Sequence, residues 1–402
     1  MRDARLLYIA AFLRAFTLGV LGVLLAFHLT ASHFDASHIG HVVSAGLVGI
    51  AAGTAVAGFF GDRVGRRRML QILAVLSASS LAFIALLPSP MTAVVAAFFG
   101  LVNGAGRDRG AHLTLEQALL ATTTTPATRT RAFAIYNVCQ DGGAALGSAA
   151  VALMKALPDW GMIPAGTVGR AGLVTAAALS AAGLLCYARL SPASDPAVGP
   201  RPAPLSRTTR SRLWKISALF ALDSFGGGFL AATFLTIFFH EHFSLGESAI
   251  GWLFAGARVL NAFSHIGAAW LSKRIGLVNT MVFTHTPSSL LLVTVALSTS
   301  LPVAIVLFLL REGLVEMDVP TRQSYVNGIV ADHERTRVNA ITNLVRMLAW
   351  AAAAEVAGRF LSTGSFWLPL VACACMKVTY DALLWTAFRR TKPPEERGAA
   401  PA

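Results

Sequence analysis

The chain has 402 residues, of which 55% are hydrophobic and 13% are charged, and its formal net charge is +13. Soluble domains carry about 25% charged residues, so this composition excludes an ordinary soluble domain and indicates a membrane protein that crosses the bilayer several times. Most of the 33 Lys and Arg residues lie in alternate loops and at the two ends of the chain. That pattern is typical of membrane topology and does not indicate nucleic-acid binding.

Twelve apolar segments are long enough to cross a hydrocarbon core of about 30 Å. They span residues 6–31, 39–60, 69–88, 91–121, 131–156, 168–189, 213–239, 248–271, 277–299, 302–330, 338–361 and 365–388. The first segment is too long for the core of a signal peptide and lacks a convincing cleavage site, so we expect it to remain as the first membrane helix. The sequence therefore predicts an all-α polytopic membrane protein with twelve transmembrane helices.

Alternate loops carry the basic residues: Arg2 and Arg5, Arg63 to Arg68, Arg129 and Arg131, Arg189 to Lys215, Lys273 and Arg274, Arg335 and Arg337, and Arg389 to Arg397. The opposite loops carry only Lys155, Arg170 and Arg359. Since cytoplasmic loops hold the excess of Lys and Arg, both termini are predicted to be cytoplasmic.

A basic turn joins the second and third segments and reads Gly58-Phe-Phe-Gly-Asp-Arg-Val-Gly-Arg-Arg-Arg68. Its arginines are too costly to place in hydrocarbon, and Gly65 permits a tight reversal of the chain. Read alone, the run is either a general cytoplasmic anchor or a specific functional loop.

The run resembles the loop between the second and third helices of the major facilitator superfamily. The matching positions are Gly58, Asp62, Arg63, Gly65, Arg66 and Arg67. The resemblance implies two six-helix bundles that face each other across a central cavity, and secondary transport by alternating access. It also implies that Asp62 and its neighbouring arginines contact the start of the eleventh helix, residues 335–342, and stabilise one conformation.

The two halves of the chain are related. Residues 191–212 are rich in Pro, Arg, Ser and Thr, which predicts a cytoplasmic linker between bundles at 1–190 and 213–402. Arg129-Thr-Arg131, followed by Asn137, recurs as Arg335-Thr-Arg337, followed by Asn343. This repeat supports duplication of a six-helix unit.

Ionisable residues inside the segments are the candidates for a solute cavity, because each charge at the bilayer centre costs at least about 2.5 to 3.5 kcal/mol without a partner or water. Arg311, Asp318, Arg322 and Tyr325 share one helical face of the tenth segment. Arg109, His112 and Glu116 share a face of the fourth in the same way. Either stripe could instead form structural ion pairs.

Arg14 and Asp223 occupy corresponding positions in the first and seventh segments, as expected for a gate or a substrate clamp. Gly226 to Gly228 follow Asp223 and indicate either close helix packing or a helix break. Further cavity candidates are Arg258 and Asn261 in the eighth segment and Asn343 and Arg346 in the eleventh. Lys377 and Asp381, four residues apart, are expected to pair with each other on an outer helix. Four histidines, His28, His240, His242 and His285, are expected to have no special role.

No phosphate-binding loop, nucleophile elbow or metal-ligand cluster occurs in the sequence, which argues against an enzyme, a metal site or a bound cofactor. We predict a secondary transporter of a small solute in which Asp223, Asp318, Glu116 or Asp141 carries a coupling proton.

Three functions remain open. The first is a proton-coupled exporter, similar to compact bacterial efflux carriers, although Asp141 to Gly147 lacks the Gly-Pro step of the drug/proton antiporters. The second is a proton-coupled uptake symporter for a small anionic metabolite or oxyanion, favoured by the arginines at 14, 107, 109, 311 and 322. The third is a sensor that no longer transports. We expect a monomer in the cytoplasmic membrane of a bacterium, surrounded by the lipid bilayer.

Overall fold

The computed structural model describes residues 2–87, 89–104, 106, 110–123, 126–154, 157–158, 161–162, 164–191, 205–328, 330 and 334–391. Across these residues the regular secondary structure is helical, and no β-strand occurs among them. The α-helices are α1 (Arg2–Ala31), α2 (Ala36–Val64), α3 (Arg66–Leu86), α4 (Pro90–Gly100), α5 (Ala111–Thr122), α6 (Pro126–Met154), α7 (Val168–Ala188), α8 (Arg207–Gly228), α9 (Ala232–Phe243), α10 (Glu247–Ile275), α11 (Leu277–Leu297), α12 (Leu301–Val315), α13 (Asp318–Gly328), α14 (Arg335–Ser362) and α15 (Leu368–Phe388).

Eight helical stretches of the described chain are long and apolar enough to cross a membrane. They are residues 2–31, 36–58, 66–86, 168–188, 207–243, 277–297, 338–362 and 368–388. The all-helical fold and the repeated membrane spans predicted from the sequence are thus present, while a total of twelve crossings stays a prediction.

Three of the twelve predicted segments are each divided into two helices. The fourth segment becomes α4 and α5, and the chain between them includes Leu101 in the left-handed conformation, with a φ of 52°. The seventh becomes α8 and α9, because the run of three glycines ends α8 at Gly228. The tenth becomes α12 and α13. Pro320 has no N–H group to donate to the backbone oxygen of Glu316, so the helical hydrogen bonding is interrupted there.

The chain forms two compact units. Unit 1 comprises Met1–Gly199, Leu230–Arg258 and Ala351–Phe366, and unit 2 comprises Pro200–Phe229, Val259–Trp350 and Trp367–Ala402. These units are defined by how closely their residues pack, and they do not test where one six-helix bundle ends and the next begins. The bundles at 1–190 and 213–402 therefore stay a prediction.

Unit 1 is organised around α1, which packs along α6 and α7. A Cβ atom on Gly147 would lie 2.1 Å from the backbone oxygen of Phe16, and one on Gly19 would lie 2.2 Å from that of Ala144. The α1 and α6 backbones are therefore in direct contact, as small residues allow between membrane helices.

Unit 2 is organised around α11, which packs against α12, α13 and α15, while α8 packs against α15. Its core includes the buried side chains of Phe220, Met281, Val326, Tyr380 and Leu384. These helices bring polar residues from four separate parts of the chain to one place.

Candidate functional site

Six ionisable side chains meet inside unit 2, and together they are called here the Asp223 cluster: Asp223, His285, Asp318, Arg322, Lys377 and Asp381. They come from α8, α11, α13 and α15, and all six are buried. Charged groups so deep in a helical unit require partners, and each of them has one in this cluster.

Asp223 on α8 accepts from two cations. Its Oδ1 lies 2.9 Å from Nζ of Lys377 on α15, and its Oδ2 lies 3.2 Å from Nη1 of Arg322 on α13. The glycines after Asp223 explain the close approach of the helices, since a Cβ on Gly226 would lie 3.2 Å from Cβ of Met376. The glycine run therefore both ends α8 and allows tight packing, the two outcomes that the sequence left open.

Arg322 links Asp223 to a second carboxylate. Its Nη1 lies 2.6 Å from Oδ2 of Asp318, one turn earlier on α13. Asp318 and Arg322, two members of the stripe that the sequence placed on one helical face, are thus in contact. The longer stripe is wrong, because the break before α13 separates Arg311, on α12, from both residues.

The predicted pairing of Lys377 with Asp381 is also wrong. Lys377 binds Asp223, whereas Asp381 accepts from Oγ1 of Thr286 at 2.9 Å and contacts Nδ1 of His285 at 2.9 Å. The helical spacing permits a local pair, but the buried partners on α8 and α11 satisfy both groups instead.

His285 on α11 is the member of the cluster that sequence reasoning missed. Its Nε2 lies 3.0 Å from Nζ of Lys377, and the residue is only 1% exposed. The available signal was a titratable ring at the centre of a segment, residues 277–299, that contains no charged residue.

A second polar group lies in unit 1 and is called here the Glu116 cluster: Arg14, Glu116, Tyr136 and Tyr187. Arg14 and Tyr136 donate to Oε2 of Glu116, the tyrosine at 2.5 Å, and Tyr187 donates to Oε1. The carboxylate on α5 thus joins α1, α6 and α7. Three donors to one buried carboxylate satisfy both of its oxygens and fix its position.

A cavity of about 70 Å³ lies beside the Glu116 cluster. Its polar lining includes Arg14, Ser77, Asn103, His112, Ser180 and Tyr187. This space has room for a few water molecules and is much smaller than the roughly 300 to 1,000 Å³ typical of sites for drug-sized ligands. His112 is buried and stacks on the ring of Tyr187 with a centroid distance of 6.4 Å.

The other candidates on the tenth and fourth segments lie apart from these clusters. Arg311 is buried and pairs with its neighbour Glu312. Tyr325 donates to the backbone oxygen of Thr391 at 3.1 Å. Arg109 lies outside the described residues, just before α5 begins at Ala111.

Candidates on the eighth and eleventh segments have separate environments. Arg258 donates to the backbone oxygen of Gly106 in unit 1. Asn261 is buried in unit 2, and among the described residues its Oδ1 has no hydrogen-bond partner. Nε of Arg346 donates to Oγ of Ser224 at 3.0 Å, beside Asp223, while Asn343 is half-buried on α14. Asp141 is half-buried on α6.

The basic turn forms between α2 and α3 as predicted. Gly65 has a φ of 93°, a conformation that favours glycine, and it ends α2 one residue before α3 begins. Nη2 of Arg67 donates to the backbone oxygen of Ala188 at 2.6 Å, so the turn is attached to the end of α7. Gly58 has open space around it, and Arg66 is half-buried. The side chains of Asp62 and Arg63 lie outside the described part of the structure, so their predicted contact with residues 335–342 stays a prediction.

Within the described chain, no group of three or more His, Cys, Asp or Glu side chains is arranged to hold a metal ion. The polar centres of both units are instead built from ion pairs and hydrogen bonds between helices.

Comparison with known proteins gives one family. The model of the Major Facilitator Superfamily matches residues 7–354 and 224–402. An uncharacterized membrane protein of Saccharomyces cerevisiae, YJR124C, is 23% identical over 424 residues, which cover 96% of this chain and 94% of the yeast protein.

Solved structures share the fold over nearly the whole chain. The nucleoside transporter NupG superposes with a TM-score of 0.74 at 14% identity, covering 97% of this chain and 100% of the other. A D-xylose-proton symporter gives 0.75 at 15% identity, covering 99% and 98%. A bacterial homolog of the human lysosomal transporter Spinster, in an inward-facing and occupied conformation, gives 0.75 at 15% identity, also covering 99% and 98%.

Proposed function

This chain belongs to the major facilitator superfamily, and from that premise we propose that it is a proton-coupled exporter of a small solute that works by alternating access. We place it as a monomer in the cytoplasmic membrane of a bacterium, with both termini in the cytoplasm. The observation that carries the proposal is the buried Asp223 cluster, which joins a carboxylate to two cations and an imidazole.

Proton coupling requires a buried group that changes partners when its site gains a proton. Among the four candidate carboxylates, Asp223 fits this role best, because it shares its two oxygens between cations on two different helices. A proton gained within the cluster would therefore change how Asp223 is shared between those helices. Glu116 fits less well, since its three donors hold it in a single place.

Alternating access requires helices of the two halves of the chain to meet and part. Within unit 1, Oγ1 of Thr236 on α9 donates to the backbone oxygen of Gly22 on α1 at 2.9 Å. Oγ of Ser44 on α2 donates to the backbone oxygen of Ala351 on α14 at 2.9 Å. Such contacts bury little charge and join small residues, which supports an interface that opens at low cost.

The solute is proposed to be neutral or cationic. Arg14, Arg311 and Arg322 each pair with a carboxylate of the protein, so an anionic solute would have to compete with those carboxylates. This supports a neutral or cationic solute over an anion, and uptake symport of an anion is the alternative that the transport assay includes.

Transport by purified protein in liposomes tests the proposal. The panel consists of radiolabelled uridine, xylose, tetraphenylphosphonium and succinate, each with a pH gradient of either sign. We expect a neutral or cationic member of the panel to move in the direction opposite to proton flow. Asp223→Asn should lose this gradient-driven flux. Glu241→Gln is the control, because Glu241 is an exposed carboxylate on α9, outside both clusters.

Two results would count against the proposal. Succinate flux in the same direction as protons would select the uptake symporter. If the rate and direction of transport were the same with a pH gradient of either sign, transport would not be coupled to protons.

A further inference from the structure

We propose that His285 is a protonation switch, in which a proton taken up at Nε2 transfers the carboxylate of Asp223 from Lys377 to the imidazole. The inference rests on the proposed proton coupling and deepens it, because it names a residue that receives the proton and the contact that changes.

The contacts of His285 define its resting tautomer. Nδ1 lies 2.9 Å from Oδ1 of Asp381, which as a carboxylate oxygen accepts, so Nδ1 carries the hydrogen. Nε2 lies 3.0 Å from Nζ of Lys377, whose ammonium group donates and cannot accept, so Nε2 is bare. The ring is therefore neutral, with its one free lone pair directed at a cation.

A proton at Nε2 reverses this contact. The new N–H faces the ammonium of Lys377, and two donors at hydrogen-bond distance repel each other. Oδ1 of Asp223 lies 3.8 Å from the same nitrogen and 2.9 Å from Lys377. A movement of about 1 Å brings that oxygen within hydrogen-bond distance of Nε2. The proton therefore exchanges one buried ion pair for another, and no bond other than N–H is made.

The surrounding charges decide how readily the exchange occurs. The titratable and charged groups around His285 and its partners include Lys377, Tyr380, Asp381 and Cys373 from α15, Asp223 from α8, Asp318 and Arg322 from α13, Arg346 from α14, Arg311 from α12, and Glu316 between α12 and α13. The ring of Tyr380 stands edge-on to the imidazole, with a centroid distance of 6.0 Å. Asp223 and Asp381 favour the imidazolium, while Lys377 disfavours it. Removing a neighbouring carboxylate should therefore lower the proton affinity of the ring, and removing Lys377 should raise it.

The exchange takes place near a helix end, where it can move the chain. Asp223 lies five residues before Gly228, the last residue of α8, and the chain passes from unit 2 to unit 1 after Phe229. A change of partner from α15 to α11 therefore acts on the segment that connects the units. Helix termini beside glycine are positions where a small displacement is least opposed.

Histidine-selective ¹⁵N NMR of the full-length protein in nanodiscs tests the switch without a solute. The His285 signal is assigned by its absence in His285→Gln. At alkaline pH we expect the tautomer with hydrogen on Nδ1, and on acidification we expect imidazolium. In Lys377→Met the midpoint should rise by about one pH unit or more, a tenfold change in proton affinity. In Asp223→Asn it should fall by at least as much.

His28 is the matched control within the same spectra. It is buried on α1 in unit 1, where its Nε2 hydrogen-bonds to the backbone oxygen of Ile84 at 3.0 Å. Its signal should not change in either variant. Hydrogen on Nε2 of His285 at alkaline pH, a ring that stays neutral until the protein unfolds in acid, or equal midpoints in wild type and Lys377→Met would each overturn the inference. The NMR experiment contains no solute, so its failure would not contradict the proposed function. The transport assay tests that function separately.

Discussion

Lys377 on α15 lies 2.9 Å from Asp223 on α8 and makes no ion pair with Asp381, which is one turn away on its own helix. The pair joins residues 154 positions apart in the sequence. Both side chains are at least nine-tenths buried, so neither charge is solvated by water once the other is removed.

Lys377→Met should therefore destabilise the protein by about 3 to 5 kcal/mol, because it leaves the Asp223 carboxylate with Arg322 as its remaining cation. Adding Asp223→Asn to the same chain should recover part of that loss. Unfolding in detergent, analysed as a double-mutant cycle, measures the coupling. Strictly additive losses would mean that the two groups do not interact.

Glu116→Gln should lower the unfolding temperature, since it weakens the acceptor of Arg14, Tyr136 and Tyr187. The buried guanidinium of Arg14 would lose its charged partner, a loss of about 3 to 5 kcal/mol. Tyr187→Phe is the control, because it removes one donor and keeps the ion pair, so about 1 to 2 kcal/mol is expected. Equal effects of the two variants would show that the ion pair contributes nothing of its own.

Gly147→Ala should separate α1 from α6, because the added Cβ would lie 2.1 Å from the backbone oxygen of Phe16. Gly142→Ala, on the same helix, is the matched control: a Cβ there meets nothing within 4 Å. Alanine stabilises a helix by roughly 0.5 to 1 kcal/mol over glycine, so the control should be neutral or slightly more stable. Thermal unfolding distinguishes the two, and a Gly147→Ala protein as stable as Gly142→Ala would contradict the close packing.

The stability of the start of α2 should depend on pH through Asp35, which lies in the loop before the helix. The carboxylate accepts from the backbone N–H of His38 at 2.8 Å, and this bond holds the pKa of Asp35 below its usual range. A depressed pKa means that the stabilisation is complete above about pH 4 and is lost as the pH falls through the lower, folded-state value. Hydrogen exchange of the amides at 36–40 should therefore speed up in acid relative to their intrinsic rates.

Asp35→Asn keeps a side-chain oxygen at the cap and should remove that pH dependence, whereas Asp35→Ala should weaken the cap by about 1 kcal/mol at all pH values. An acid transition that persists in Asp35→Asn would assign it to another group.

Much of the fold could be predicted from the sequence because the signals are local. Apolar segments 20 or so residues long with basic residues in alternate loops define membrane helices without reference to any distant contact. The turn at Gly65 was equally readable, since a positive φ is a property of one residue. The break at Gly226 to Gly228 was anticipated as one of two outcomes, but the break before Asp318 was missed, although Pro320 follows it in the sequence.

The candidate site could be predicted only in part. Helical spacing placed Asp318 and Arg322 on one face, and the two side chains form an ion pair there. The pair expected from the spacing of Lys377 and Asp381 does not form, since each residue has a partner on another helix. His285 gave little signal because a single histidine in an apolar segment has no periodic pattern, and its importance comes entirely from the groups around it.

The sequence alone shows that this protein is a helical membrane protein of the major facilitator superfamily. Its hydropathy, its loop charges and the motif from Gly58 to Arg68 are local features that do not depend on contacts between distant residues. Only the tertiary structure decided which charges meet. The free energy of a buried ion pair depends on distances of a few ångströms between helices far apart in sequence, and spacing along one helix contains no information about those distances.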